Sequence, residues 1–130
     1  MAIVISRSES GLSATSSFQA LDNLAGASVS SSFTIPTNVS SLKSLSISLA
    51  CDGAGEEFCG LVKISGNSMR DGDAVFATGG QMTMGTSTGS NMNFVQYDTD
   101  LAVQAGNSCE FSIATTTNAV IDVVVTAQFA

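Results

Sequence analysis

Val120-Ile-Asp-Val-Val-Val-Thr-Ala-Gln-Phe129, close to the end of the chain, decides the fold. In an extended conformation Ile121, Val123, Val125, Ala127 and Phe129 share one face, and Asp122, Thr126 and Gln128 share the other, where Val120 and Val124 interrupt them. Alternation of period two with this density of β-branched residues specifies a strand and disfavours a helix. An inner face this apolar, with Val124 also on the outer one, places the strand inside a sheet and not at its edge.

The pattern recurs upstream. In Leu42 to Cys51 the residues Leu45, Ile47 and Leu49 point in while Ser44, Ser46 and Ser48 point out. Val29 to Ile35 alternates with Val29, Ser31, Phe33 and Ile35 on one side, and it ends at Pro36, which cannot donate to a ladder. Pro36-Thr-Asn38, Gly66-Asn67, Gly79-Gly80 and Ala105-Gly-Asn107 supply turn chemistry. Strands are expected over Phe58 to Ser65, Ala74 to Thr78 and Met92 to Tyr97, with Met82 and Met84 filling core gaps and Cys109, Phe111 and Ile113 facing inward. Leu12 to Leu24 reads as a strand followed by one helical turn carrying Phe18, Leu21 and Leu24. Asp52-Gly-Ala-Gly-Glu-Glu-Phe58 reads as a hairpin loop, and Thr86 to Asn91 as an exposed loop at the tip of the molecule.

About eight to nine short strands at intervals of roughly ten residues, with no convincing helix, predict an all-β protein. The expectation is a single-domain antiparallel β-sandwich of jelly-roll type, with an immunoglobulin-like sandwich as the alternative. Residues 1–11 are read as an N-terminal arm or edge strand, because Ile3-Val-Ile5 is followed by polar Ser6 to Ser10, and residues 12–130 as the sandwich domain. At 130 residues one domain with a real core is expected.

Composition narrows the function. Charged residues make up only 12% of the chain and hydrophobic ones 44%, while 21 serines and 12 threonines supply its neutral polarity. Such a surface is cheap to desolvate, because burying charge costs far more than burying a hydroxyl that finds a partner. It suits a protein packed among other proteins; the bland reading is a secreted β domain with a Ser/Thr-rich face. The net charge is −7, and Arg7, Lys43, Lys63 and Arg70 are scattered singly, so no basic patch exists to hold phosphates and nucleic-acid binding is disfavoured. No apolar run is long enough to span a bilayer and the first residues lack a signal-peptide pattern, so no membrane association is expected.

The chain has no histidine, which removes Ser-His and Cys-His catalysis and the commonest metal ligand. Three carboxylate pairs remain as candidates for acid/base work: Glu56 with Glu57, Asp71 with Asp73, and Asp98 with Asp100. Each reads as solvated loop, no tryptophan is available as a sugar platform, and no enzymatic role is expected. Asp98, Asp100, Asp71 and Asp73 are weak candidates for calcium, lacking the remaining ligands of a calcium loop, so turn capping with no metal and no cofactor is the expectation. Cys51, Cys59 and Cys109 are odd in number, which fits either reduced thiols or one disulfide plus a free thiol. Cys51 and Cys59 could meet across their loop, but their alternation points them to opposite faces unless a bulge intervenes. Asn38-Val-Ser40 matches the glycosylation pattern and is taken as accidental.

The order of Phe33-Thr-Ile-Pro36, Leu42 to Leu49 with a Gly-rich hairpin, Tyr97-Asp-Thr-Asp-Leu-Ala-Val103, Ala105-Gly-Asn107 and the closing hydrophobic strand resembles small β-sandwich virion proteins. These are single jelly-roll capsid or capsid-decorating proteins of bacterial and archaeal viruses, and the resemblance spans Ser32 to Ala130. It implies a structural virion protein that self-associates, often as a homotrimer, and is held to neighbouring shell proteins. A basic arm facing a genome is missing, since residues 1–20 hold only Arg7. On the residues themselves, Ile3, Val4, Ile5, Val120 and Val124 are the candidates for burial between subunits. The alternative is a carbohydrate- or receptor-binding module, or an adhesin subunit, presenting the Thr86 to Asn91 loop.

Overall fold

The computed structural model describes residues 2–51, 54–64, 83–88, 92–115 and 118–130, and over the second and third of these segments, and at Cys51, Met92, Asn93, Val95, Tyr97 and Thr99, it gives the backbone path alone. Eleven strands and no helix are found among them. In chain order they are β1 (Ile3–Ala14), β2 (Gln19–Ala20), β3 (Asn23–Leu24), β4 (Ala27–Ser28), β5 (Ser32–Thr34), β6 (Ser41–Cys51), β7 (Ala54–Ile64), β8 (Thr83–Thr88), β9 (Met92–Ala102), β10 (Ser108–Thr115) and β11 (Ala119–Phe129).

They form two antiparallel sheets, one ordered β4-β3-β1-β11-β6-β9 and the other β2-β10-β7-β8, with β5 also on β10. Strands β2 and β5 follow one another along the same partner, Gln19 opposite Ile113 and Phe33 opposite Cys109, so they are two pieces of one strand position. Between them the chain leaves to build the β3–β4 hairpin in the other sheet. Counting β2 and β5 together leaves eight positions once that hairpin is set aside. First then pairs with last, second with seventh, third with sixth and fourth with fifth. This nesting is the jelly roll expected from the sequence, not the immunoglobulin-like alternative.

The closing strand behaves as its alternation demands. It lies between β1 and β6, with Val125 opposite both Arg7 and Ile47. Its inner residues Ile121, Val123, Val125, Ala127 and Phe129 are all 0–1% exposed. With Leu42, Leu45, Ile47 and Leu49 of β6, and Cys109, Phe111 and Ile113 of β10, they make the core between the sheets. Phe33 joins them from β5, edge-on to Phe111 at 5.1 Å and to Phe129 at 6.3 Å between ring centres. Each such fully buried aliphatic or phenyl side chain contributes about 1.5–3 kcal/mol.

Several local readings are corrected. The N-terminal residues are not a free arm: β1 continues past residue 11 to Ala14, paired with β11 on both sides of a bulge. Its other side meets β3 only at Ser8 opposite Asn23, so beyond that short hairpin it is the edge strand of the alternative reading. The pairing shifts between Glu9 and Leu12, where Gly11 adopts φ of +65°. That bulge is why the alternation changes phase at the point where the sequence suggests a boundary. The helical turn at Phe18 to Leu24 is replaced by the short strands β2 and β3, in which Leu21 is buried while Phe18 and Leu24 are 40% and 43% exposed. Asp52 to Phe58 is not a hairpin loop, since β7 starts at Ala54 and belongs to the opposite sheet from β6. Consequently Cys51 pairs with Ile121 in one sheet and Cys59 with Ala114 in the other. Their side chains, and the strand expected over Ala74 to Thr78, lie outside the described residues.

Candidate functional site

The outer face of the six-stranded sheet is the candidate site, and register fixes what it presents. Three rows cross its four long strands: Val4, Gln128, Ser44 and Asp98; then Ser6, Thr126, Ser46 and Gln96; then Ser8, Val124, Ser48 and Phe94. Twelve positions hold one charge, Asp98, at a corner. Phe94, Val4 and Val124 are 62%, 61% and 43% exposed. Between them lie hydroxyls, of which Ser6 and Thr126 already share a hydrogen bond of 2.6 Å. A hydroxyl pair that satisfies itself sideways loses little when water is removed.

Of the five residues proposed for burial between subunits, Val4, Val120 and Val124 lie exposed on the outer side. Ile3 and Ile5 do not join them. Opposite Phe129 and Ala127 in register, they point inward and pack partly buried against the core. Phe94 is the member of the surface that the sequence reading missed. The signal was present, because Phe94 shares its phase with Gln96, Asp98 and Asp100, so it is an apolar residue on an otherwise polar side of one strand.

A hollow of about 500 Å³ lies on this face beside the β1 bulge. Its lining includes Ser8, Val124 and Ser48 of the third row, Asn23 and Gly26 of the β3–β4 hairpin, and Asp122. The hairpin closes with Ala25 and Gly26 at φ of +52° and +89°, the signs of a two-residue turn that matches strand twist. Asn23 Oδ1 accepts the Gly26 N–H at 2.9 Å. At the bulge Asp122 Oδ1 accepts the Gly11 N–H at 2.7 Å and the Ser10 hydroxyl at 3.3 Å. Glu9, also at the hollow, has its carboxyl pushed above the usual range by a hydrogen bond with Asp22 and by burial.

Asp98 and Asp100 are not in a loop. Both are exposed on β9, where Asp98 accepts from Gln96 Nε2 at 3.0 Å and Asp100 forms an ion pair with Lys43 at 2.6 Å. Hydrogen bonds from Lys43 and Ser41 hold the Asp100 carboxyl below its ordinary value. Each is thus engaged with its own sheet and the two do not converge on a common point. Asp71 and Asp73 lie outside the described residues, as do the side chains of Glu56 and Glu57. Among the described residues no group of three or more His, Cys, Asp and Glu is placed to hold a metal. Cys109 is a free thiol, 1% exposed, and burial pushes it up to about 12.

No protein-family model matches the chain. No curated protein matches it in sequence either. Among solved structures it is similar to a chain in the structure of infectious bursal disease virus Gx strain, with a TM-score of 0.61 and 13% identity. The match covers 98% of this chain and 32% of that one, so this chain spans about a third of the length of its structural neighbour. At this identity the likeness is one of fold, and the fold is the jelly roll that a chain of a virus also adopts.

Proposed function

We propose that this chain is a structural subunit of a virus particle, located in the virion, where it acts by associating with itself and with neighbouring shell proteins. The observation that carries the reading is the outer face of the six-stranded sheet: three rows of hydroxyl, amide and apolar side chains with one carboxylate at a corner. Jelly rolls also serve as lectin and enzyme domains, so the fold by itself does not choose. A broad face with few charges, on a chain of net charge −7, does favour burial against protein. Salt-dependent binding to nucleic acid has no basic patch to draw on. The loop that a glycan- or receptor-binding module would present starts at Thr86, yet Thr86–Thr88 belong to β8 and residues 89–91 lie outside the described residues.

Light scattering of the purified protein across a hundredfold range of concentration tests the reading. Self-association is expected, and the resemblance to virion proteins makes a trimer the first mass to look for. Val124→Lys should raise the concentration needed for association at least tenfold while leaving the melting temperature within about 2 °C, as befits an exposed position. A strict monomer at every concentration would overturn the assembly role and turn attention to glycan binding.

A further inference from the structure

We infer that the outer face of the six-stranded sheet is a two-fold contact between copies of this chain, in which Phe94 of each copy seats in the hollow over Ser8 of the other. The inference rests on the assembly reading above and specifies its geometry. Sheets that stack face to face keep their strands within about 30° of one another, about 10 Å apart. A two-fold axis relating such faces lies in the plane between them. If it runs parallel to the strands, between β11 and β6, it lays β9 over β1 of the second copy and β6 over β11, and every row keeps its own level.

The third row then brings Phe94 over Ser8, where the hollow is, and Ser48 over Val124. The second row sets Gln96 over Ser6 and Ser46 over Thr126, each an amide or hydroxyl able to exchange hydrogen bonds. In the first, Asp98 faces Val4, and on the next level Asp122 faces Ala50. No carboxylate meets a carboxylate, so the arrangement avoids the repulsion that a chain this acidic would otherwise meet. An axis perpendicular to the strands would put β9 over β9, carry Phe94 toward Gln96 or Asp98 and leave both hollows empty.

The size is adequate. Four strands about 4.8 Å apart, β1 of 12 residues and β6, β9 and β11 of 11 each, at about 3.4 Å per residue, span roughly 700 Å² in plan. Side-chain relief adds to that, against about 800 Å² per partner in an ordinary stable interface. An isologous contact repeats its anchor, so the two Phe94 rings bury together at two equivalent places.

The test is a pair of opposite charges at one site. Glu9 and Asp122 border the hollow, so Phe94→Asp meets like charge there and Phe94→Lys meets unlike charge. Light scattering of the full chain should show even-numbered masses for the native protein, a dimer or, where the two-fold contact joins two trimers, a hexamer. Phe94→Asp should weaken association at least a hundredfold and Phe94→Lys at least fivefold less than that, with the same melting temperature for both. Filling the hollow with Ser8→Tyr should weaken it as well. If the protein associates but both Phe94 variants keep its native mass, or associates only as a trimer, the assembly role stands and this contact is overturned. Equal losses for the aspartate and lysine variants would also overturn the seating of Phe94 beside Glu9 and Asp122. Absence of association in the native protein would overturn both.

Discussion

Val124 and Val125 are neighbours in the same strand with the same side chain, yet one is 43% exposed and the other 1%. The inner face of the six-stranded sheet, to which Val125 belongs, is continuous hydrocarbon: Leu45, Ile47 and Leu49 beside Val123, Val125 and Ala127. The outer face repeats the β-branched shapes that a pleated surface favours but alternates them with hydroxyls. The two faces thus share strand propensity and differ in what they can be packed against. Across β6 and β11 the inner face is hydrocarbon with no polar side chain to satisfy, and it closes on the second sheet. The outer face carries its polarity as Ser6, Ser46, Ser48 and Thr126, which tolerate water and tolerate being covered.

A matched pair of substitutions offers the strongest way to break that comparison. Val125→Lys places an ammonium among Ile47, Ala127 and the core with no carboxylate to meet it, at a cost of about 3–5 kcal/mol. That is a large part of the 5–15 kcal/mol that holds a domain of this kind together. Circular dichroism with a urea titration should find the variant unfolded or unfolding at much lower denaturant, whereas Val124→Lys, one residue earlier, should keep its transition. If the two variants unfold alike, the division of labour between the faces is wrong.

The sequence made this division legible where one residue type alternated cleanly with another. In β6 the serines and leucines, and in β11 the valines against Asp122, Thr126 and Gln128, fix register and face together, because a slip of one residue would exchange them. Strand β1 was harder to read. Its inner phase continues from Ile3 and Ile5 into Arg7 and Glu9, charges that no core should hold. The structure resolves the conflict at the rim: Arg7 lies over the Phe33 ring at 5.2 Å and donates to Ser30 O and Ser6 O, and Glu9 turns to Asp22. Likewise the second strand position is split into β2 and β5 by a hairpin that pairs in the other sheet, a long-range event that no local period records. As for the candidate surface, Val120 and Val124 were visible as apolar residues out of phase. Phe94 was obscured because β9 was expected to stop at Tyr97, so that Asp98 and Asp100 were not seen as members of its face.

Asp122 sharpens the comparison by showing an outer residue that serves the fold. It holds the bulge through the Gly11 N–H and the Ser10 hydroxyl, and so sets where β1 changes phase. Asp122→Ala should cost about 1 kcal/mol, the net worth of hydrogen bonds at an exposed site, which lowers the melting temperature by about 3–5 °C. An unchanged melting curve would mean that Gly11 at positive φ sets the bulge unaided.

The smallest effects are expected from acid, and they separate two carboxylates at the margins of the same sheet. Asp100 has a lowered value in the folded chain because of Lys43, so its contribution to stability is present above its ordinary 3.8 and is lost as pH falls through the folded value. Glu9 has a raised value because of Asp22. Its contribution has the opposite sign: it is fully present below the ordinary 4.5 and is lost as pH rises through the folded value. Acidification from pH 7 should therefore first gain a little stability from Glu9 and then lose some from Asp100. Melting temperatures measured from pH 7 to pH 3 should show the initial rise vanish in Glu9→Gln and the later fall diminish in Asp100→Asn. Both side chains are close to water, so the changes should be small and should shrink further as salt is added. A Glu9→Gln profile that superposes on the native one would show that the Glu9–Asp22 contact is not held in solution, and the acidic border of the hollow would then be Asp122 alone.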